Sequence, residues 1–149
     1  MQLRRPTDRL AGCVWFPRLV DKAKHHLAGS LAPEFVRPFC HPLATDGVFL
    51  DHFGIEKNEF LGAVADSNGS DEFVEEWFRR LAQHTPEKVN AWNEMAPNIG
   101  KEGFPVRRGF LWVLKEYYGG AAPDPRVDSA FTAIAYDEGF IDDLPHCEA

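Results

Sequence analysis

Asp21 and His25 stand four residues apart, and Cys40 and His41 are adjacent further along the chain. A carboxylate one helical turn from an imidazole can orient the ring for acid–base work, and a thiol beside a second imidazole supplies a nucleophile with a base at hand. The plainer reading is an ordinary i,i+4 surface pair and a small buried thiol. Arg18 and Lys22 have the same four-residue spacing. On a helix they share one side, where an Arg fork can grip a carboxylate or phosphate through two parallel hydrogen bonds. With His25, and with Arg9 as a further cation, they make the candidate anion-binding set. The competing reading pairs these cations with internal acids, either Asp21 or the Asp71 to Glu76 run.

Other chemistries find less in the sequence. His25-His26 and Cys40-His41, with His52, Asp46 and Asp51, come nearest to a metal-ligand pattern. Neighbouring residues on a helix point about 100° apart and do not readily share one ion, so no metal site is expected. No G-x-S-x-G elbow and no phosphate-cradling glycine loop occurs, so no nucleotide cofactor is expected, nor any other. The four Trp at 15, 77, 92 and 112 fall where burial in a core explains them better than an aromatic cage.

The elements that must position these residues read as helices. Pro17 suits a first helical turn and Gly29 the position past the end, which predicts a helix over about 17–28 with Phe16, Leu19, Val20, Ala23 and Leu27 as its buried stripe and Arg18, Lys22 and His25 off it. Pro33, Pro38 and Pro42 break periodicity over 30–45, an irregular segment long enough to suggest function. Asp46 is the expected N-cap of a short helix over about 47–53, and Ile55 with Phe60 has the spacing of a hydrophobic staple for one over 56–66. Ser70 caps a helix over 71–83, and Thr85-Pro86 opens another that stops before Pro97. A helix over 106–118 should bury Phe110, Leu111, Leu114 and one of Tyr117 and Tyr118. Asp124-Pro125 opens the last, to about Glu138, and the tail from Ile141 should be ordered at first and then fray. No segment alternates with period two. The expected fold class is all-α: one domain over 1–149, a compact bundle or orthogonal array of six to seven short helices, without significant sheet.

At 149 residues, with 44% apolar and 13% aromatic side chains, the chain can build one aromatic-rich core. No apolar run is long enough to span a bilayer, and neither a membrane protein nor a secreted one is expected. Three cysteines at 13, 40 and 147 form no framework, and a reducing cytoplasm is the expected location. The net charge of −7 argues against nucleic acid as a partner. That total conceals a basic start: residues 1–29 hold six Lys and Arg against two acids, while 30–100 hold five against twelve and 101–149 five against nine. Either the basic segment docks on the acidic remainder, or it forms an anion site.

The run Pro17-Arg18-Leu19-Val20-Asp21-Lys22 with Leu27-Ala28-Gly29 resembles the densest motif of a bacterial family described only as a domain of unknown function, DUF5069. Phe49-Leu50-Asp51 leading to Phe53-Gly54-Ile55, and Ser70-Asp71 with Val74, Trp77, Thr85-Pro86-Glu87 and Trp92, fit the same family. Together they cover about residues 3–97, with 98–149 read as a helical extension. The resemblance implies a small soluble bacterial protein and places Arg18, Asp21 and Lys22 together in the family's motif, without implying an activity.

The leading expectation is a non-enzymatic helical module binding a protein partner or small anionic ligand through Arg18, Lys22 and His25 on the exposed side of the first helix and the proline-rich segment after it. The alternatives are an enzyme using Asp21 and His25 with Cys40 or His41, and a structural or assembly subunit that forms a homodimer through an exposed aromatic face.

Overall fold

A computed structural model describes residues 2–145; Cys147 and the end of the tail expected to fray lie outside the described residues. Among these, eight α-helices follow a two-strand hairpin: α1 Phe16–Leu27, α2 Pro33–Val36, α3 Thr45–His52, α4 Lys57–Asp66, α5 Asp71–Arg79, α6 Pro86–Met95, α7 Arg107–Tyr118 and α8 Ala130–Glu138. Short 3-10 turns occupy Ala96–Asn98 and Ile141–Asp143. The fold is all-α apart from the hairpin, which pairs β1 Arg9–Leu10 with β2 Cys13–Val14 in the register Arg9 to Val14 and Leu10 to Cys13. Ala11 and Gly12 both have positive φ (51° and 81°), the backbone a two-residue hairpin turn demands.

Local signals explain most boundaries. Ser70 accepts a bond from the Phe73 amide and Thr85 one from the Lys88 amide, each satisfying a donor left over at a helix start. After α1, Gly29 turns left-handed (φ 72°), and the Ser30 and Gly29 amides donate to the His25 and His26 carbonyls at 2.8 and 3.1 Å. Two starts differ from expectation. Asp46 is no N-cap: α3 begins at Thr45 behind an extended Ala44, and Asp46 lies buried in its first turn. Asp124-Pro125 does not open α8, because Arg126 takes the Asp124 carboxylate through its amide and guanidinium at 2.8–3.0 Å. Ser129 caps α8 instead, in a reciprocal box with Thr132. α5 also stops earlier than expected, at Arg79.

The main core is aromatic. Phe16 stacks on Phe49 at 5.2 Å and meets Phe78 at 4.5 Å, while Trp92 meets Phe49 edge-on at 5.0 Å. Each fully buried Phe contributes about 1.5–3 kcal/mol. Phe131 of α8 joins this core by stacking on Trp15 at 5.6 Å. Behind it, Phe110, Leu114, Val127 and Ala133 form a second cluster, and Ala135, Phe140 and Leu144 a third. Leu27, Leu111 and Trp112, expected inward, are exposed, and of the two tyrosines it is Tyr118 that packs on the second cluster while Tyr117 faces out. α1 is buried at every residue from 16 to 20, whereas its end, at His26 and Leu27, faces solvent.

Candidate functional site

The first helix brings its chemistry to an unexpected place. Arg18 is 1% and Lys22 5% exposed, so the expectation that they look out from the free side of α1 is overturned. The apolar stripe marks one buried face, but Phe35 of α2 and Glu138 at the end of α8 meet the cations on the other. Trp15, whose left-handed backbone (φ 71°) turns the chain into α1, places its indole beneath both cations. The Lys22 ammonium lies 5.0 Å from the Trp15 ring centre and 5.5 Å from that of Phe35 on α2; the Arg18 guanidinium lies 5.6 and 5.8 Å from the same rings. Two positive groups one turn apart are thus held against one pair of aromatic faces.

Each is neutralised from a distant part of the chain. Lys22 Nζ donates to both oxygens of Asp46 at 3.2 Å. That carboxylate also accepts from the Trp15 indole N–H at 2.9 Å and the Cys40 amide at 3.2 Å. Gly47 makes the arrangement possible: a Cβ there would stand 2.0 Å from the His41 carbonyl oxygen, so only glycine lets the chain from Cys40 to Ala44 close against α3. Cys40 itself takes a positive φ (55°), which is uncommon for a residue with a side chain. Burial pushes the Lys22 amine below its ordinary value, against the pull of Asp46 and with the push of Arg18.

Arg18 is held differently. Its Nη1 donates to the Arg4 carbonyl and to Glu138 Oε1, both at 3.1 Å, and its Nη2 donates to Glu138 Oε2 at 2.5 Å. Its Nε is buried without a hydrogen-bond partner. Glu138, at the open end of α8, has a side chain 28% exposed, whereas the Asp46 carboxylate is sealed from solvent.

The remaining sequence candidates do not assemble. Asp21 turns both oxygens to Arg4, at 2.8–3.1 Å, and His25 Nδ1 meets the Ser30 hydroxyl at 2.9 Å, so each member of the expected acid–base pair is engaged by another partner. His41 Nδ1 accepts from the Leu43 amide at 3.1 Å. Burial, followed by the neighbouring Asp46, drives the Cys40 thiol up to about 12, which withholds the thiolate that nucleophilic work needs. Among the described residues no three His, Cys, Asp or Glu side chains converge as a metal would require. An open hollow of about 330 Å³ lies on the N-terminal segment, lined by Gln2, Leu3, Arg4, Arg5, Asp8 and Phe140, and neither Arg18 nor Lys22 lines it.

Sequence reasoning missed Trp15, Phe35, Asp46 and Glu138 as members of this site. Asp46 was legible as an acid near a helix start, which hid its burial. Glu138 lies 120 positions from Arg18 and carries no local signal at all.

The model of a family described as a domain of unknown function, DUF5069, matches residues 1–139, and the chain belongs to that family. The match runs past the residues that carry the resemblance in sequence, through α7 and α8 to include Glu138. No curated protein matches the chain.

Proposed function

We propose that this DUF5069 member is a non-enzymatic helical module that holds a small anionic ligand, carboxylate or phosphate, on Arg18 beneath the α2 segment. One observation supports the reading: Arg18 and Lys22, both almost fully buried, share a pair of aromatic faces, and each is neutralised by a carboxylate from elsewhere in the chain. Placing like charges together out of water is costly unless anions hold them there. The two countercharges differ in kind. Asp46 is locked by an indole, an ammonium and an amide, so Lys22 is not the exchangeable station. Glu138 reaches Arg18 from a half-open helix end, and its carboxylate makes no other hydrogen bond among the described residues, so a ligand carboxylate can take its place with little else disturbed. His25 is tied to the Ser30 hydroxyl, where the segment over the site begins.

The test removes the internal occupant. In an E138A variant, acetate or inorganic phosphate should raise the melting temperature measurably, while the wild type responds about tenfold more weakly because its own carboxylate competes. The double variant R18M/E138A replaces the buried pair by neutral groups and should fold but lose the response. Equal, negligible responses in E138A and wild type would mean that Arg18 is a structural cation only.

A further inference from the structure

Two surfaces, one on α7 and one on α5, stand without a partner, and neither helix contributes a residue to the Arg18 site. On α7, Phe110 and Leu114 turn into the second cluster, so Trp112, two residues from each, points the opposite way and is 50% exposed. Its indole meets the Tyr117 ring edge-on at 6.0 Å and stands as a ridge. Arg108 lies one turn before Trp112 and Glu116 one turn after it; both are exposed, as is Lys115, and none of the three has an ion-pair partner among the described residues.

On α5 and the turn that ends it, Phe73, Trp77 and Leu81 follow one another at four-residue spacing. With Glu76 and Arg80 they line an open hollow of about 210 Å³, to which no other element contributes a lining residue. Small-molecule sites run to about 300–1,000 Å³, and a hollow below that range suits a single large side chain. Phe73 is 44% exposed at its edge. Glu76 is paired with Arg80, while Glu72, one turn earlier, is exposed and unpaired among the described residues.

We infer that the Trp112 ridge of one copy of this chain seats in the α5 hollow of a second copy, head to tail. Charge order selects both the occupant and its direction. Arg108 and Glu116 are eight residues apart, as are Glu72 and Arg80, a rise of about 12 Å in either helix. Laid in the same direction, the two helices bring Arg108 to Glu72, Glu116 to Arg80, and Trp112 midway between them, over the hollow. The reverse direction sets Arg108 on Arg80 and Glu116 on Glu72, two like-charge contacts. Lys115 leaves the α7 face one positive charge in excess, and Glu76 leaves the α5 rim one negative charge in excess. A Trp flanked by an Arg is the composition of an interface anchor, and an anchor needs a pocket. A second α7 offers another ridge and no pocket for either indole.

Ridge and hollow are different surfaces, so each copy can use both at once, and such a contact extends to a ring or an open chain instead of stopping at a dimer. One helix face on another is a contact of the weak class, below about 1,200 Å², which makes assembly follow concentration.

The test is sedimentation velocity on the full chain across about a hundredfold range of concentration. The average mass of the wild type should climb past that of a dimer. W112A and F73A, both exposed positions, should each keep the helical content of the wild type and sediment as monomers. An equal mixture of the two should form a dimer and nothing larger, because the W112A chain retains its hollow and the F73A chain its ridge. E72R or R108E alone should weaken assembly about tenfold, and the two reversals in one chain should restore it. A wild type that stays monomeric throughout overturns the inference. So does an F73A chain that assembles like the wild type while W112A does not, which would pair α7 with α7. Binding of the wild type to phosphatidylserine vesicles that W112A loses, without self-association, would give the ridge to a membrane surface and overturn it as well.

Discussion

The side chain on which most depends is Asp46. Among the described residues it alone accepts from the Lys22 ammonium, and it also satisfies the Trp15 indole and the amide of a strained Cys40. A buried cation left without its countercharge costs about 3–5 kcal/mol, whereas replacing both members of such a pair by neutral groups costs far less. D46N should therefore lose stability on that scale in urea unfolding, and K22M introduced into D46N should restore more than half of it. A loss in D46N below about 1 kcal/mol would show that the ammonium finds water or another acid, contrary to its sealed setting. The same residue shows where sequence reading stopped. Arg18 and Lys22 were legible as a cation pair at helical spacing, but their direction was not, because a hydrophobic stripe identifies one buried face and says nothing of a second. The polar residues that do face outward on α1 are confined to its last turns, where His26 lies exposed.

Among elements, the helices with conventional starts were legible and the others were not. Ser70, Thr85 and Pro17 announce α5, α6 and α1 because a cap or a first-turn proline acts within three residues of itself. The α8 start escaped because Thr132 stands where Glu or Gln would mark the box, and the hairpin because two-residue strands have no alternation to read. What fastens these elements to one another was legible only as a charge imbalance. Arg4 joins the N-terminal segment to α1 through Asp21 and to α5 through Asp71, and Lys24 reaches the same Asp71 at 3.1 Å. The Arg4 guanidinium, opposed by the residual cost of burial and helped by Lys24, holds the Asp71 carboxyl below its ordinary value. A carboxylate whose folded pKa is depressed contributes stability that is complete above its unfolded value, about 4, and is lost as pH falls through the folded value. D71N should accordingly lower the urea midpoint at about pH 7, by under about 1 kcal/mol given the group's exposure, and converge with wild type in strong acid. A difference that persists undiminished in acid would assign the effect to packing of the side chain and not to its charge.

At the scale of the whole molecule, the basic start does dock on acidic partners: Arg4 on Asp21 and Asp71, Arg5 on Asp142 and Asp143, and Arg18 on Glu138. The last two bind the two ends of the chain together, and they do so by side chains. The core from Ala11 to Ile99 is continuous and aromatic, while α7 rests on the smaller cluster of Phe110, Leu114, Val127 and Ala133 and leaves Leu111, Trp112 and Tyr117 exposed. α8 is the bridge, with Phe131 in the large core, Ala133 in the second cluster and Ala135 in the third, and with the Ala130 amide on the Ile99 carbonyl at 2.8 Å. Opening of α7 exposes less apolar surface than opening of α1 or α3, so it should need less free energy. Native-state hydrogen exchange should find α7 amides exchanging through a local opening barely sensitive to denaturant, and those of α1 and α3 only through global unfolding; equal protection in all three would refute this division. The functional consequence lies at Glu138. A carboxylate ligand that displaces it from Arg18 removes one of the ties between α8 and α1, so occupancy of the site should speed exchange in the last turn of α8 while slowing it around Trp15 and Lys22. A ligand that bound elsewhere would have no reason to move those two regions in opposite directions.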